Sequence, residues 1–332
     1  MKLLEPIKVK DIEFKNRVMM SPMCMYSAPK QDGIATDFHY QHYVTRAMGS
    51  VGYIMVESTA VLPNGRISYE DLGLWDDAHI APLKKIVDAV HSYGAKIGVQ
   101  LSHAGRKSRT DSIVSSTNIP FSDHYLMPEM LDEKGVEEVV KAFGRAAKRA
   151  YEAGFDSIEL HGAHGYLIAQ FISDVTNQRT DKYADGVVFL EEVIDEVLKY
   201  FPKEKILQLR ISAYEYHDLG MTPYDWASII NRFKDKLDII DVSSGGILPL
   251  PIKDYPGYQL PYAKIIKEET GLITIGGGQI NDPTLANDAI LDGTMDMAFF
   301  GRKLLKEPYF IYQLNEDLLL KQYTRARGLI SK

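Results

Sequence analysis

The sequence predicts an α/β fold: a single (β/α)8 TIM barrel with a short N-terminal hairpin and elaborated loops at its C-terminal face. Two observations support this prediction. Eight short apolar runs recur along the 332-residue chain, and helical segments separate most of them. The runs are continuously apolar, as in parallel strands that are covered by helices. Eight such units in one chain most simply close on themselves into a barrel.

Each predicted strand is a short apolar run bounded by polar or turn-forming residues. The first run stops at Pro22, because proline cannot donate a ladder hydrogen bond. In chain order the eight predicted strands are 18–23, 52–56, 96–101, 157–160, 206–210, 239–242, 272–275 and 297–300.

Helices are predicted between most of these strands from residues that favour helix ends. Thr36 or Asp37 can cap the first helix, and Gly94 and Gly154 end the second and third. Pro223 occupies a favoured first-turn position in the last one. The predicted helices are 38–48, 78–93, 136–153, 189–200 and 223–236.

We expect residues 1–332 to form one domain, because no linker, repeat or low-complexity segment interrupts the pattern. Within 1–17, weak alternation of apolar residues predicts a hairpin ahead of the barrel. The stretch 107–131 is rich in Ser, Thr, Asp and Pro, and we predict a long loop after the third strand, near the barrel mouth. Residues 321–332 form the C-terminal segment.

Composition and charge exclude several classes of protein. A formal net charge of −7 argues against a protein that mainly binds nucleic acid or an anionic membrane. No apolar run reaches the roughly 18 residues that span a bilayer, and an acidic residue and a proline precede any signal-like run. A single cysteine, Cys24, permits neither an internal disulfide nor a cysteine-rich metal site. We therefore expect a soluble cytoplasmic protein without a metal centre.

The segment 161–166 (HGAHGY) follows the fourth predicted strand, where barrel enzymes place their chemistry. His161 and His164 can donate hydrogen bonds to a substrate oxygen, and Tyr166 can donate a proton to a developing carbanion. The two glycines permit a bend that turns the three side chains toward one cavity. The alternative is a loop with surface histidines and a core tyrosine.

Two glycine-containing segments late in the chain predict a phosphate site. The triplet 276–278 and the pair Gly301 and Arg302 follow the seventh and eighth strands, where barrels commonly bind phosphate. The alternative is two tight turns and a surface arginine. No G-x-G-x-x-G motif follows a strand, which disfavours a dinucleotide bound in the Rossmann manner.

Gln100 and Arg210 are predicted to contact a heterocycle at the other end of such a ligand. A primary amide both donates and accepts hydrogen bonds, which suits the edge of such a ring. A permanent cation would stabilise negative charge that the ring gains on reduction. Either residue could instead be a structural partner inside the barrel.

Four motifs resemble the Old Yellow Enzyme family in residue type and in order. They are 21–26 (SPMCMY), 100–107 (QLSHAGRK), 161–167 (HGAHGYL) and 177–181 (NQRTD), and the match is best to the bacterial NADPH dehydrogenases of that family. The resemblance implies a barrel with non-covalent FMN and a ping-pong reaction. NADPH would reduce the flavin, which would then reduce an activated alkene such as an enone, enal, maleimide or nitroalkene. A phenol would bind the same site and shift the flavin absorbance.

The resemblance also implies roles for individual residues. His161 and His164 would bind the carbonyl or nitro oxygen, flavin N5 would deliver hydride to the β-carbon, and Tyr166 would protonate the α-carbon. Cys24 and Tyr26 would lie beside the flavin, with Cys24 tuning its reduction potential and Tyr26 contacting substrate. A small buried residue is the alternative for Cys24. The matched FMN contacts are Ser21, Pro22, Met23, Cys24, Ser58, Gln100, His161, Arg210, Ser243 or its neighbour Ser244, Gly276, Gly277, Gly301 and Arg302.

Near the C-terminus, 323–328 (YTRARG) resembles the segment by which one subunit of the family inserts an arginine into its neighbour's site. Arg327 matches that arginine best, which implies substrate contact and a homodimer or homotetramer. A frayed basic tail is the alternative. One stretch departs from the family pattern: 184–188 (ADGVV) is several residues shorter, so a subunit contact there is not carried over.

Two other activities stay open at the level of sequence. An FMN barrel that modifies RNA, such as a dihydrouridine synthase, needs a basic surface, which this acidic chain does not predict. A flavin-free lyase or isomerase could use His161 and His164 as acid and base on a phosphorylated metabolite, and it would turn over without flavin.

Overall fold

Eight parallel strands form a closed barrel in the computed structural model, which describes residues 1–328. Closure follows from the first barrel strand, Val18–Met20, which pairs with both the eighth, Met297–Phe300, and the second, Tyr53–Ala60. The others are, in order, Lys96–Ser102, Ser157–Gly162, Ile206–Ser212, Ile239–Ser243 and Ile273–Gly276. The predicted barrel and its eight strands are therefore confirmed, although the first strand ends early, at Met20, and the second to seventh end one to four residues beyond their predicted ends.

Helices surround the barrel, and all five predicted helices are present. The third begins at Glu133, earlier than predicted, because Asp132 caps it by accepting from the Gly135 N–H. No helix within residues 1–328 is long and apolar enough to cross a membrane. The helices are Asp37–Met48, Ile80–Ser92, Glu133–Glu152, Leu167–Ile172, Gly186–Leu198, Pro223–Arg232, Leu260–Thr270, Pro283–Leu291, Arg302–Lys306 and Phe310–Leu314.

The predicted N-terminal hairpin is present and closes one end of the barrel. Its strands, Ile7–Val9 and Ile12–Phe14, pair in antiparallel fashion. Phe14 packs on Tyr53 with ring centroids 4.7 Å apart. A buried apolar cluster then fills the amino-terminal ends of the barrel strands: Val9, Phe14, Met19, Tyr53, Met55, Ile206, Ile239, Ile275 and Met297. The polar residues at the carboxyl ends of the strands therefore face the opposite, open end.

The predicted long loop after the third strand is ordered around a short two-stranded sheet. Val114–Ser115 pairs with Glu129–Met130. The hydroxyl of Ser115 donates to Oε1 of Gln170, and the hydroxyl of Ser116 donates to the Gln170 carbonyl, at 2.7 and 2.8 Å. Since Gln170 lies in the short helix that follows segment 161–166, the loop supports that segment from outside.

Candidate active site

The fourth barrel strand brings two imidazoles and a phenol together at the open end of the barrel. His161 lies in this strand, in register with Arg210 on its neighbour. The ring centroid of His161 is 5.2 Å from that of His164 and 4.8 Å from that of Tyr166. The three side chains that the sequence places in one loop therefore meet in space.

Close backbone packing fixes the shape of this loop. His164 and Gly165 both have positive φ, at 56° and 68°. The His164 N–H donates to the hydroxyl of Ser212 at 2.8 Å, which holds the strained residue in place. A Cβ atom added at Gly165 would overlap with the carbonyl oxygen of Gly246. Only glycine therefore fits at this contact between the loops after the fourth and sixth strands.

Burial keeps the three side chains uncharged. It lowers the pKa of His161 well below its usual value, with His164, Arg210 and Lys107 adding to the effect. Burial and the same two cations also lower the pKa of His164. Burial, then Cys24, raises the pKa of Tyr166 well above its ordinary value. The site therefore presents neutral imidazole N–H groups and a phenol that retains its proton.

Hydrogen bonds indicate which imidazole nitrogens are available. Nδ1 of His161 lies 3.4 Å from the N–H of Ala163, which favours Nδ1 as an acceptor and places the proton on Nε2. Nε2 of His164 lies 2.7 Å from the hydroxyl of Ser243. The two rings are nearly perpendicular, with planes 88° apart, so they can approach one oxygen atom from two directions.

A cavity of about 460 Å³ opens beside Tyr166, and we call it the Tyr166 cavity. Nζ of Lys107 lies 5.2 Å from the centre of the Tyr166 ring and donates to the His164 carbonyl at 2.8 Å. Tyr26 is 48% exposed at its edge. The lining residues are Tyr26, Ile67, Ser68, Glu70, Lys107, Arg109, Tyr125 and Tyr166.

A second cavity, of about 250 Å³, lies at the ends of the last strands, and we call it the Arg302 cavity. Five predicted cofactor-binding residues line it: Met23, Arg210, Ser243, Gly301 and Arg302. Gly278 also lines it, whereas the preceding two glycines have packing roles. A Cβ at Gly276 would come within 2.9 Å of Met295 Sδ, and one at Gly277 would overlap with the Phe299 ring.

Further contacts connect the remaining predicted residues. The Arg210 guanidinium donates to the hydroxyl of Ser21 at 3.3 Å, just before Pro22 and Met23 in the chain. Cys24 is partly buried, and burial, followed by nearby Asp71, raises the pKa of its thiol. Cys24 is therefore a protonated thiol at neutral pH, which suits a weak donor and not a nucleophile.

Several residues of the site were missed by sequence reasoning. Lys107 ends one of the quoted motifs, so its signal was present but received no role. Gln259 gave no local signal, because it follows a long loop; its amide donates to the hydroxyls of Ser243 and Ser244 at 3.1 and 3.0 Å. The sequence left open whether Ser243 or Ser244 contacts the cofactor. The Gln259 amide hydrogen bonds to both hydroxyls, and Ser243 is the one that lines the Arg302 cavity. Arg327 is exposed and lies outside the linings of both cavities.

Comparisons with known proteins agree with this geometry. Residues 2–321 match the model of the NADH:flavin oxidoreductase / NADH oxidase family. The chain is 44% identical over 322 residues to an NADPH dehydrogenase of Geobacillus sp. (strain WCH70), covering 95% of this chain and 94% of that protein. It is also 44% identical over 318 residues to an NADPH dehydrogenase of Clostridium acetobutylicum, covering 94% of both.

Solved structures support the same fold. Morphinone reductase superposes with a TM-score of 0.78 at 25% identity, covering 91% of this chain and 86% of that one. A 2-naphthoyl-CoA reductase superposes with a TM-score of 0.88 at 22% identity; 95% of this chain is covered, but it spans only 52% of that longer protein. The chain therefore belongs to the NADH:flavin oxidoreductase / NADH oxidase family, as its resemblance to the Old Yellow Enzymes implies, and is an FMN-dependent oxidoreductase.

Proposed function

We propose that the protein is an NADPH dehydrogenase of the ene-reductase type, which reduces activated C=C bonds of α,β-unsaturated carbonyl or nitro compounds. The main support is the grouping of His161 and His164 around each other and Tyr166, which lines one cavity, while Arg210 and Arg302 line another. The first group suits an electrophilic alkene, and the second suits an anionic, ring-bearing cofactor.

The residues of the Arg302 cavity fit FMN. Gly278 and Gly301 have no side chain, and the Arg302 guanidinium supplies positive charge for a phosphate. Ser243 would contact the ribityl chain or phosphate, while Gly276 and Gly277 shape the turn behind them. The ring would be held by Ser21, Pro22, Met23, Cys24, Ser58, Gln100, His161 and Arg210. When bound, FMN supplies the hydride-carrying chemistry that amino-acid side chains lack.

The chain's own residues would bind and protonate the alkene. Neutral His161 and His164 would donate hydrogen bonds to the carbonyl or nitro oxygen and stabilise the negative charge that develops there. Tyr166 holds a proton at its phenol oxygen and would release it to the α-carbon. Tyr26 would contact the substrate at the cavity edge, and the Cys24 thiol would adjust the electronic properties of the ring.

The test is a spectroscopic titration of the purified protein. We expect flavin absorbance, anaerobic bleaching by NADPH and recovery on adding 2-cyclohexen-1-one. A phenol should shift the absorbance of the oxidised protein, and His164→Ala, which leaves the proposed FMN contacts in place, should reduce that shift while FMN stays bound. A colourless protein that does not take up FMN, or a reduced flavin that no enone or nitroalkene reoxidises, would contradict the proposal.

We further propose a cytoplasmic homodimer or homotetramer in which Arg327 reaches a neighbouring site. In the chain described here Arg327 is exposed, and the Tyr166 cavity opens at the edge formed by Tyr26, which leaves room for a side chain from another protomer. Residues 329–332 of the predicted C-terminal segment lie outside the described residues.

A further inference from the structure

A buried polar layer lies inside the barrel, directly beneath His161 and Arg210, and the proposed reaction does not use it. Glu159 and Asp241 are both fully buried, at 0% exposure. Glu159 precedes His161 by two residues on the fourth strand, so the two side chains share the inner face. Asp241 is in register with Arg210 across the fifth and sixth strands.

Three neighbouring side chains fix the orientation of Glu159. Nε2 of Gln100 donates to Oε1 of Glu159 at 2.7 Å, and Nε2 of Gln208 donates to Oε2. The Tyr53 hydroxyl donates to Oε1 of Gln208 at 2.6 Å. This bond fixes the orientation of the Gln208 amide, so that its nitrogen faces Glu159. Within residues 1–328, neither buried carboxylate oxygen of Asp241 receives a hydrogen bond from another group, and Asp241 is close enough to Glu159 to raise its pKa. Because Gln100 is a predicted contact of the flavin ring, Glu159 connects this layer to the cofactor site.

The charges in this layer do not balance if both carboxyl groups are ionised. One cation faces them: Nε of Arg210 lies 3.2 Å from Oδ2 of Asp241. The other titratable groups that face the layer are neutral, because burial lowers the pKa of His161 and raises that of Tyr53. An unpaired second carboxylate would be costly in an interior closed by the apolar hairpin end. One proton therefore neutralises the layer.

We propose that Glu159 holds this proton and donates it to Asp241, whose carboxylate then pairs with Arg210. The pair acts as a positioning unit: Glu159 orients Gln100, and Asp241 sets how much of the Arg210 charge reaches a flavin ring. In support, burial, then Asp241, raises the pKa of Glu159, and burial raises that of Asp241 despite Arg210. The shared proton is independent of the proposed function, whereas the effect on the ring rests on FMN binding.

The first test uses infrared spectroscopy of the protein freed of flavin. The wild type should show a protonated carboxylic acid band that Glu159→Gln lacks and that disappears at alkaline pH. Glu57, whose pKa burial also raises, gives its own band in both proteins, so the comparison uses the difference between the two spectra. Glu215→Gln is the matched control, because Glu215 is another buried carboxyl group whose pKa burial raises, and it should retain the band. A Glu159→Gln protein that keeps the band, or a wild type without it, would overturn the shared proton.

The second test measures the midpoint potential of bound flavin against pH. The wild type should show a change of slope with pH, which Glu159→Gln should lack because glutamine mimics the neutral acid. Asp241→Asn should shift the potential to more positive values, since the charge of Arg210 is then unopposed. Identical potentials and slopes in all three would refute the positioning role. Neither the infrared band nor the midpoint potential depends on alkene turnover. If the ene-reductase assay failed, the two measurements would therefore still test the shared proton and the positioning role.

Discussion

His161, His164 and Tyr166 are kept in their uncharged forms by burial, and these are the forms that the proposed reaction needs. A neutral imidazole donates one hydrogen bond and gains from developing negative charge without having to lose a proton. A phenol whose pKa lies well above its usual value stays protonated across the physiological range. The residues can therefore act in the same protonation state from acid to mildly alkaline pH.

Replacing Tyr166 by Phe should separate the two halves of the reaction. Reduction of the flavin by NADPH should be nearly unchanged, whereas reoxidation by an enone should slow by about 10²- to 10⁴-fold, the usual contribution of a positioned acid. Rapid-mixing absorbance measures both rates. Tyr125→Phe, in the same cavity, is the control and should change neither rate strongly. Equal reoxidation rates in wild type and Tyr166→Phe would assign the proton to another donor.

Two cations, Lys107 and Arg109, line the Tyr166 cavity together with a single acid, Glu70. Arg109→Gln should therefore lower kcat/KM for an enone that bears a carboxylate, while the value for its methyl ester stays the same. Because Arg109 is exposed, the loss should be modest, about 0.2–1 kcal/mol or up to roughly fivefold. Added salt should reduce the preference in the wild type. An equal effect on acid and ester would show that Arg109 does not contact the charge.

Single residues were predictable from sequence where they belong to a contiguous motif, as His161, His164 and Tyr166 do. Their protonation states were not, because these depend on burial and on Arg210 and Lys107 from other strands. Glu159 and Asp241 lie in apolar runs and look like ordinary strand residues. Only the closed barrel shows that both are buried on its inner face, near Arg210.

At the level of elements, segment 161–166 and the loop after the sixth strand pack against each other through backbone atoms. Gly165 and Gly246 both have positive φ, and a Cβ at either position would collide with the other loop. This contact fixes the position of His164 without using a side chain. The position of His164 therefore depends on two glycines that lie in loops far apart in sequence.

Gly165→Ala should destabilise the protein more than Gly94→Ala. Both glycines have positive φ, so both substitutions incur the left-handed cost of about 1–2 kcal/mol. Gly94 has open space where a Cβ would be placed, whereas Gly165 has the Gly246 carbonyl there. Urea unfolding at equilibrium gives the two free energies, and alkene reduction should fall only in Gly165→Ala. Equal losses of unfolding free energy in the two variants would mean that the overlap with the Gly246 carbonyl costs nothing, because the two loops can move apart.

The strands were predicted well because fully buried parallel strands are continuously apolar. Helix starts were less predictable, since caps such as Asp132 and Asp185 precede the apolar stripe by a few residues. Helices Leu260–Thr270 and Pro283–Leu291 were missed, although each carries a proline in its first turn, the same signal that predicted the helix at Pro223. Within the shortened 184–188 stretch, Asp185 caps the helix that begins at Gly186 by accepting from the Val187 N–H.

For the whole molecule, the barrel places both the Tyr166 cavity and the Arg302 cavity at its open end. The family assignment argues against a flavin-free lyase, one of the alternatives that the sequence left open. The acidic net charge of −7 gives no support to an RNA substrate. The overall architecture was predictable because it follows from repeated units, whereas the depth and lining of the cavities depend on long loops.

Removal of residues after Tyr323 should weaken alkene binding and alter the oligomeric state, while FMN affinity stays the same. Arg327→Ala should raise KM for the alkene without changing the mass in solution, if the arginine enters a neighbouring site. Arg325→Ala, another exposed arginine of the same segment, is the control. Light scattering after gel filtration measures the mass. Unchanged kinetics and mass in the truncated protein would identify the segment as a frayed tail.

Barrel closure imposes an order on biosynthesis. Val18, near the start of the chain, pairs with Ala298, near its end, so the ring of strands cannot close until almost the whole chain has left the ribosome. Until then the first and last strands present unpaired edges, which are templates for aggregation. The nascent chain should therefore depend on chaperones late in translation, and a stall before the eighth strand should yield an insoluble product.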